Sequence, residues 1–140
     1  MSRRVREFVH ARGGVSAIEF AIVAPVFILL LVGILAYGLY FGLVHSVQQL
    51  AADAARAAVA GLTAEERRSI AEARVASGAE TYMLIRPDQL VTVAEEGGAD
   101  SFAVRLTYDA SHLGIWGLDG LLPLPSPVIR RAAVIRRGGY

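Results

Sequence analysis

The chain contains no cysteine, so it holds no disulfide framework, no thiolate nucleophile and no cysteine-ligated metal. Lysine is missing as well: all 14 basic residues are arginine. Set against 13 acidic residues, they leave a net charge of +1, too even a balance to suggest a nucleic-acid partner. The three histidines, His10, His45 and His112, stand far apart with no ligand-spaced companion, so no metal and no cofactor is expected. A nucleophile elbow, a phosphate-binding glycine loop and an HExxH helix are likewise lacking, and the chain does not read as an enzyme. The longest absence is of charge. Between Phe20 and Val44 there is no charged residue at all.

That stretch explains why a chain of 140 residues is 54% hydrophobic, with a mean hydropathy of +0.46. As a helix it would reach roughly 37 Å, enough to cross a hydrocarbon core of about 30 Å. A soluble core helix of this length would carry a polar stripe, and none is present. A cleavable secretory signal peptide has a shorter apolar region ending in small residues. The pattern predicts a single membrane span over about 18–44. Arg3, Arg4, Arg6 and Arg12 precede it against one acid, Glu7, whereas Asp53 and Arg56 beyond it cancel. The positive-inside rule then keeps the N-terminus in the cytoplasm and sends the rest across the membrane.

The chain divides into a basic leader, 1–14, a long helix, 15–61, and a small exported α+β domain, 62–140. After the span, Leu43, Val47, Leu50, Ala54, Ala57 and Ala58 form an apolar stripe, with Gln49, Asp53 and Arg56 on another face. The helix therefore leaves the membrane and becomes amphipathic, and Gly61 is the expected terminator. Thr63-Ala64-Glu65-Glu66 reads as a capping box that opens a second, charged helix to about Ser77. Leu90 to Val93 is one strand-like run, and Phe102, Val104, Leu106 and Tyr108 alternate in another. Gly97-Gly98-Ala99-Asp100 supplies the turn between them. Leu113 to Pro127 is a loop carrying Trp116, with Trp116 expected to plug the core. Val128 to Arg137 is read as a third strand of a small antiparallel sheet. Its Arg130, Arg131, Arg136 and Arg137 would keep an edge strand solvated. Fewer than 80 residues make a thin core, so the sheet must borrow apolar surface from the exposed half of the long helix.

Two features concern assembly. Glu19 sits at the cytoplasmic edge of the apolar run beside Phe20, where an unpaired acid in lipid costs roughly 2.5–3.5 kcal/mol on insertion scales. Cleavage after Gly14 would make Val15 the new terminus, with an α-amine of pKa about 7.7–8 one helical turn from Glu19 or facing the Glu19 of a neighbour. Gly38-Leu39-Tyr40-Phe41-Gly42 is a GxxxG, which lets helices approach closely. Pro25 lacks an N–H and crowds the carbonyl of Ala21, giving either a packing kink or a hinge.

The run Gly13-Gly14, then Val15-Ser16-Ala17-Ile18-Glu19-Phe20, followed by Ala21-Ile22-Val23-Ala24-Pro25, resembles the start of a type IV prepilin. More narrowly it resembles the TadE-like minor pilins, or pseudopilins, of the tight-adherence (Flp) pilus. The resemblance implies cleavage between Gly14 and Val15 by a membrane prepilin peptidase. It also makes Glu19 the fifth mature residue and the assembly charge. The implied partners are that peptidase, other pilins or pseudopilins, the pilus assembly platform and inner-membrane lipid. The implied location is the bacterial inner membrane, with the C-terminal domain outside the cytoplasm, and entry into a filament left open. The other reading is an unprocessed single-pass protein whose outer domain scaffolds a secretion complex or binds a ligand.

Overall fold

The computed structural model describes residues 4–98 and 100–136, with side chains from residue 14 onward. Helix α1 runs Arg4–Ala58, α2 runs Ala64–Ala79, and three strands follow: β1 (Leu90–Gly97), β2 (Ser101–Asp109) and β3 (Val128–Arg136). This is an α+β chain with the helices first, as expected. The chain falls into two compact units, residues 1–38 and residues 39–140.

The first unit is apolar helix left uncovered along most of its described length, Gly33 and Ala36 being buried. It contains Pro25, through which the helix continues. Its large side chains are exposed on every side, from Val15 through Phe20, Val26 and Leu30 to Leu35. α1 is long and apolar enough to cross a membrane, and none of its most apolar window is buried. A soluble core helix would be covered; this one is compatible with a single pass through lipid, where apolar residues all round the helix face acyl chains.

The second unit begins inside the same helix. Leu43, Val47, Leu50, Ala51, Ala54, Ala55 and Ala58 of α1 are buried at 1% exposure or less. They meet Ala71, Val75 and Ala79 of α2 and one face of the sheet. The stripe is wider than the sequence suggests: Ala51 and Ala55 join it, while Ala57 is half-buried. The width follows from two neighbours, since α2 and the sheet both draw on α1. Small side chains permit that crowding. Gly78 on α2 illustrates it, because a Cβ there would lie 2.5 Å from Leu50 Cδ1.

Local signals set the boundaries. Thr63 caps α2: its hydroxyl accepts from the Glu66 N–H at 3.1 Å, and the Glu66 carboxylate accepts from the Thr63 and Leu62 N–H groups. α1 ends at Ala58 and tightens into i→i+3 bonds through Gly61. Gly61 is required for space, not for a left-handed backbone: a Cβ would fall 2.7 Å from the Arg67 nitrogen. The sheet is antiparallel in the order β1-β2-β3, with Gly97 opposite Ser101 across the hairpin and Ser101 opposite Arg136. Phe102, Val104, Leu106 and Tyr108 all enter the core, as their alternation predicts. β3 confirms the third strand, and Ile129 is its buried anchor. Ala99 and Arg137 lie outside the described residues.

Candidate assembly helix and the clamps of the outer unit

Gly14, Val15, Glu19 and Phe20 occupy consecutive turns of α1, and all four are exposed. Among the described residues nothing lies within 4 Å of where a Gly14 Cβ would stand. Val15 and Glu19 are four residues apart on one helical face. Glu19 forms no ion pair or hydrogen bond with another described residue. Pro25 removes one N–H, which leaves the Ala21 carbonyl without its helical partner. Gly38 is open, and Gly42 is exposed with its Cβ position 3.8 Å from Leu84 Cδ1. The structure thus displays each of the residues singled out from the sequence on helix surface. It brings only Val15 with Glu19, and Gly38 with Gly42, into one-turn spacing.

The second unit, residues 39–140 (the outer unit under the reading proposed below), is held by polar clamps whose partners are remote in sequence. Arg67, 6% exposed, lies in α2. Its Nε and a terminal nitrogen meet Glu96 Oε1 at 2.9 and 2.8 Å, and its other terminal nitrogen donates to the Gly61 carbonyl at 2.9 Å. One guanidinium therefore ties the α1–α2 turn to the end of β1. Arg68 adds a bond from Nε to the Ala94 carbonyl at 3.2 Å.

At the other end, Tyr108 is fully buried. Its hydroxyl accepts from the Arg86 N–H at 3.0 Å and donates to the Leu84 carbonyl at 3.1 Å. Burial pushes the phenol above its ordinary pKa, since the phenolate would be desolvated. The neighbouring Asp109 is held below the usual carboxylate range, first by the Ser111 hydroxyl and then by the Ser111 N–H. Trp116 donates from Nε1 to the Ala110 carbonyl at 2.7 Å and stands edge-on to Tyr40, with ring centroids 6.3 Å apart. It is half-buried, more a brace between loop and helix than the core plug expected of it.

Little here resembles a reaction centre. An open cleft of about 450 Å³ beside α2 is lined by Glu65, Arg68, Glu95, Glu96 and Phe102. Arg105 pairs with Glu95 beside it, so its charges are largely matched. Among the described residues no group of three His, Cys, Asp or Glu side chains converges as a metal would require. His45 bonds Gln49 at 3.0 Å, while His112 stacks edge-on against Tyr108. Arg67 is not recognisable from the sequence as a buried residue, because its charged helix reads as solvated throughout. The one available signal was its place in the i, i+4 series with Ala71, Val75 and Ala79.

Comparison with known proteins adds one finding. No curated protein and no solved structure matches the chain. The model of the family described as TadE-like protein matches residues 14–56. That match opens at the glycine before Val15 and covers the apolar helix together with most of its core-forming continuation. Over the segment 14–56 the chain is therefore similar to the family described as TadE-like protein.

Proposed function

We propose that the chain is a minor pilin or pseudopilin of the tight-adherence pilus, cut after Gly14 by a prepilin peptidase and incorporated through its N-terminal helix. The observation that carries the reading is the run Gly14-Val15 to Glu19-Phe20, opening an uncovered apolar helix inside the TadE-like match. An uncovered helix of this kind has two stable environments: lipid, or a bundle of similar helices. Before assembly the span lies in the inner membrane, the basic leader in the cytoplasm and the outer unit beyond the membrane. Cleavage removes four arginines and creates an α-amine, which meets the Glu19 carboxylate of its own or a neighbouring chain. Pairing lowers the cost of moving that acid into an apolar bundle. The exposed Gly38 and Gly42 face then allows helices to approach closely. The role is structural, carried by packing and not by catalysis.

The test is the N-terminus of the membrane-purified protein coexpressed with its cognate peptidase. It should begin at Val15, and Gly14→Ala should leave it unprocessed. Glu19→Ala should still be cut but fail to enter assemblies recovered by shearing or crosslinking. An N-terminus at Met1 or Ser2 with active peptidase present would overturn the pilin reading and leave the unprocessed single-pass protein. Normal incorporation of Glu19→Ala would remove the charge-pairing role alone.

A further inference from the structure

The charge-free run from Phe20 to Val44 does not end where the outer unit begins. Its last residues, Leu39 to Val44, belong to the outer unit itself. Whatever packs on those residues lies at the level where the helix leaves the apolar phase. Two segments do so. Trp116, in the loop between β2 and β3, packs edge-on to Tyr40. Leu84, in the turn after α2, lies against the Gly42 position. The Tyr108 hydroxyl joins that turn to the end of β2, so the two segments form one base.

The chemistry of this base is unusual for protein surface facing water. Between Leu113 and Pro127 the only charged residue is Asp119. Met83 is 98% exposed and Leu121 is 67% exposed. The loop is nevertheless built. It contains a 3-10 turn, Gly114–Leu118, and its N–H groups at Leu113, Leu121 and Leu122 are bonded to carbonyls within the loop or at its edge. Gly120, with φ of +89°, turns the backbone just before Leu121. A loop that bonds its own backbone while presenting apolar side chains suits a boundary where water is scarce. Tyr40 and Trp116, each with an apolar body and a polar tip, are the side chains favoured at headgroup depth.

We infer that this base rests on the leaflet from which α1 emerges, with Leu121 and Met83 inserted among lipid headgroups and upper acyl chains. The inference depends on the single-pass reading of α1. It makes lipid the occupant because the helix that carries the base is continuous with the apolar run, so the base cannot stand far from the bilayer surface. Insertion of about 5–10 Å is the depth that interfacial apolar side chains reach.

The chain has no cysteine, so single-cysteine variants report cleanly. Leu121→Cys, Met83→Cys and, as a control, Leu62→Cys are each labelled with a polarity-sensitive fluorophore in the full chain. Leu62 is 89% exposed and adjoins the capped start of α2, at the far end of that helix from Met83. In phosphatidylglycerol/phosphatidylethanolamine vesicles, the labels at 121 and 83 should blue-shift. A nitroxide near the headgroup should quench them more than one deep in the acyl chain, and Leu62→Cys should respond to neither. If the protein floats with the vesicles while the labels at 121 and 83 behave like the label at 62, docking is overturned and the span stands. If the labels are shielded from both lipid and aqueous quenchers, a protein surface occupies the base and the lipid proposal fails. If the protein does not float, the single-pass reading fails and takes this inference with it.

Discussion

Replacing Arg67 with methionine keeps the aliphatic stem that packs at the α1–α2 turn and removes the guanidinium alone. Two groups then lose their partner. The Gly61 carbonyl belongs to a buried residue and loses the bond it accepts at 2.9 Å, which costs about 1–3 kcal/mol for an unsatisfied buried acceptor. The Glu96 carboxylate loses contacts at 2.8 and 2.9 Å. A fully buried pair broken in this way costs about 3–5 kcal/mol. The Glu96 side chain, however, is 33% exposed, so water takes over part of the role and about 1 kcal/mol is the better figure. Together these give a loss of roughly 2–4 kcal/mol, a large share of the net stability of a small domain. For a unit of this size the unfolding midpoint should fall by roughly 10–20 °C.

The assay is thermal unfolding of the full chain in lipid nanodiscs, followed by tryptophan fluorescence. Trp116 is the only tryptophan. Its bond to Ala110 and its contact with Tyr40 make it a reporter of the outer unit, whereas circular dichroism would be dominated by α1. Glu96→Gln and the Arg67→Met/Glu96→Gln double variant close a thermodynamic cycle. Their coupling should be about 1 kcal/mol or more, as expected for charged side chains in contact. A midpoint shift below about 4 °C, or strictly additive single effects, would refute the clamp.

Three further outcomes follow from the same geometry. Gly61→Ala should destabilise by about 1–3 kcal/mol, because its Cβ would stand 2.7 Å from the Arg67 backbone nitrogen and the turn cannot yield without moving α2; an unchanged midpoint in urea melts would contradict this. Gly78→Ala gains about 1 kcal/mol of helix propensity but sets a Cβ 2.5 Å from Leu50 Cδ1. Its net loss should be small, and should turn into a gain when Leu50 is first shortened to valine. Tyr108 has a raised pKa, so its stabilising contribution is fully present below the ordinary phenol value near 10 and is lost as pH climbs through the higher folded value. Tyr108→Phe should flatten the alkaline limb of the stability profile while lowering the plateau by about 1 kcal/mol for the lost hydroxyl bonds.

Periodicity and capping chemistry made the elements legible. The alternation of Phe102 to Tyr108 announced a strand and the face it buries. The Thr63 and Glu66 pair marked the start of α2, and the charge-free run marked the apolar helix. What escaped was the part of the fold set by distant pairs. Glu96 is 29 positions from Arg67, and nothing in a charged helix says which arginine will turn inward. Ala51 and Ala55 lie outside the single stripe expected from the sequence, and they are buried because α2 and the sheet both close on α1. Gly61 closes the end of α1 as expected, and the tertiary reason for a glycine there is room for Arg67. Gly14, Glu19 and Pro25 form a local pattern that requires no tertiary partner, and their part in assembly belongs to the proposed function.

One consequence separates this chain from a domain merely tethered to an anchor. The last third of α1 is the central core element of the outer unit, with seven of its residues buried at 1% or less. Leu43, Val47 and Leu50 alone each stabilise by about 1.5–3 kcal/mol on burial, together comparable with the whole net stability of a domain, about 5–15 kcal/mol. A fragment beginning at Leu62 therefore has a three-stranded sheet and one short helix with no surface to close on. It should show the red-shifted Trp116 emission of an unfolded chain. A fragment beginning at Leu39 keeps every one of those seven residues and should fold cooperatively with a buried Tyr108. Folding of the Leu62 fragment would mean that α1 is an appendage. Its failure, with success at Leu39, would mean that the last third of α1 is an integral part of that core.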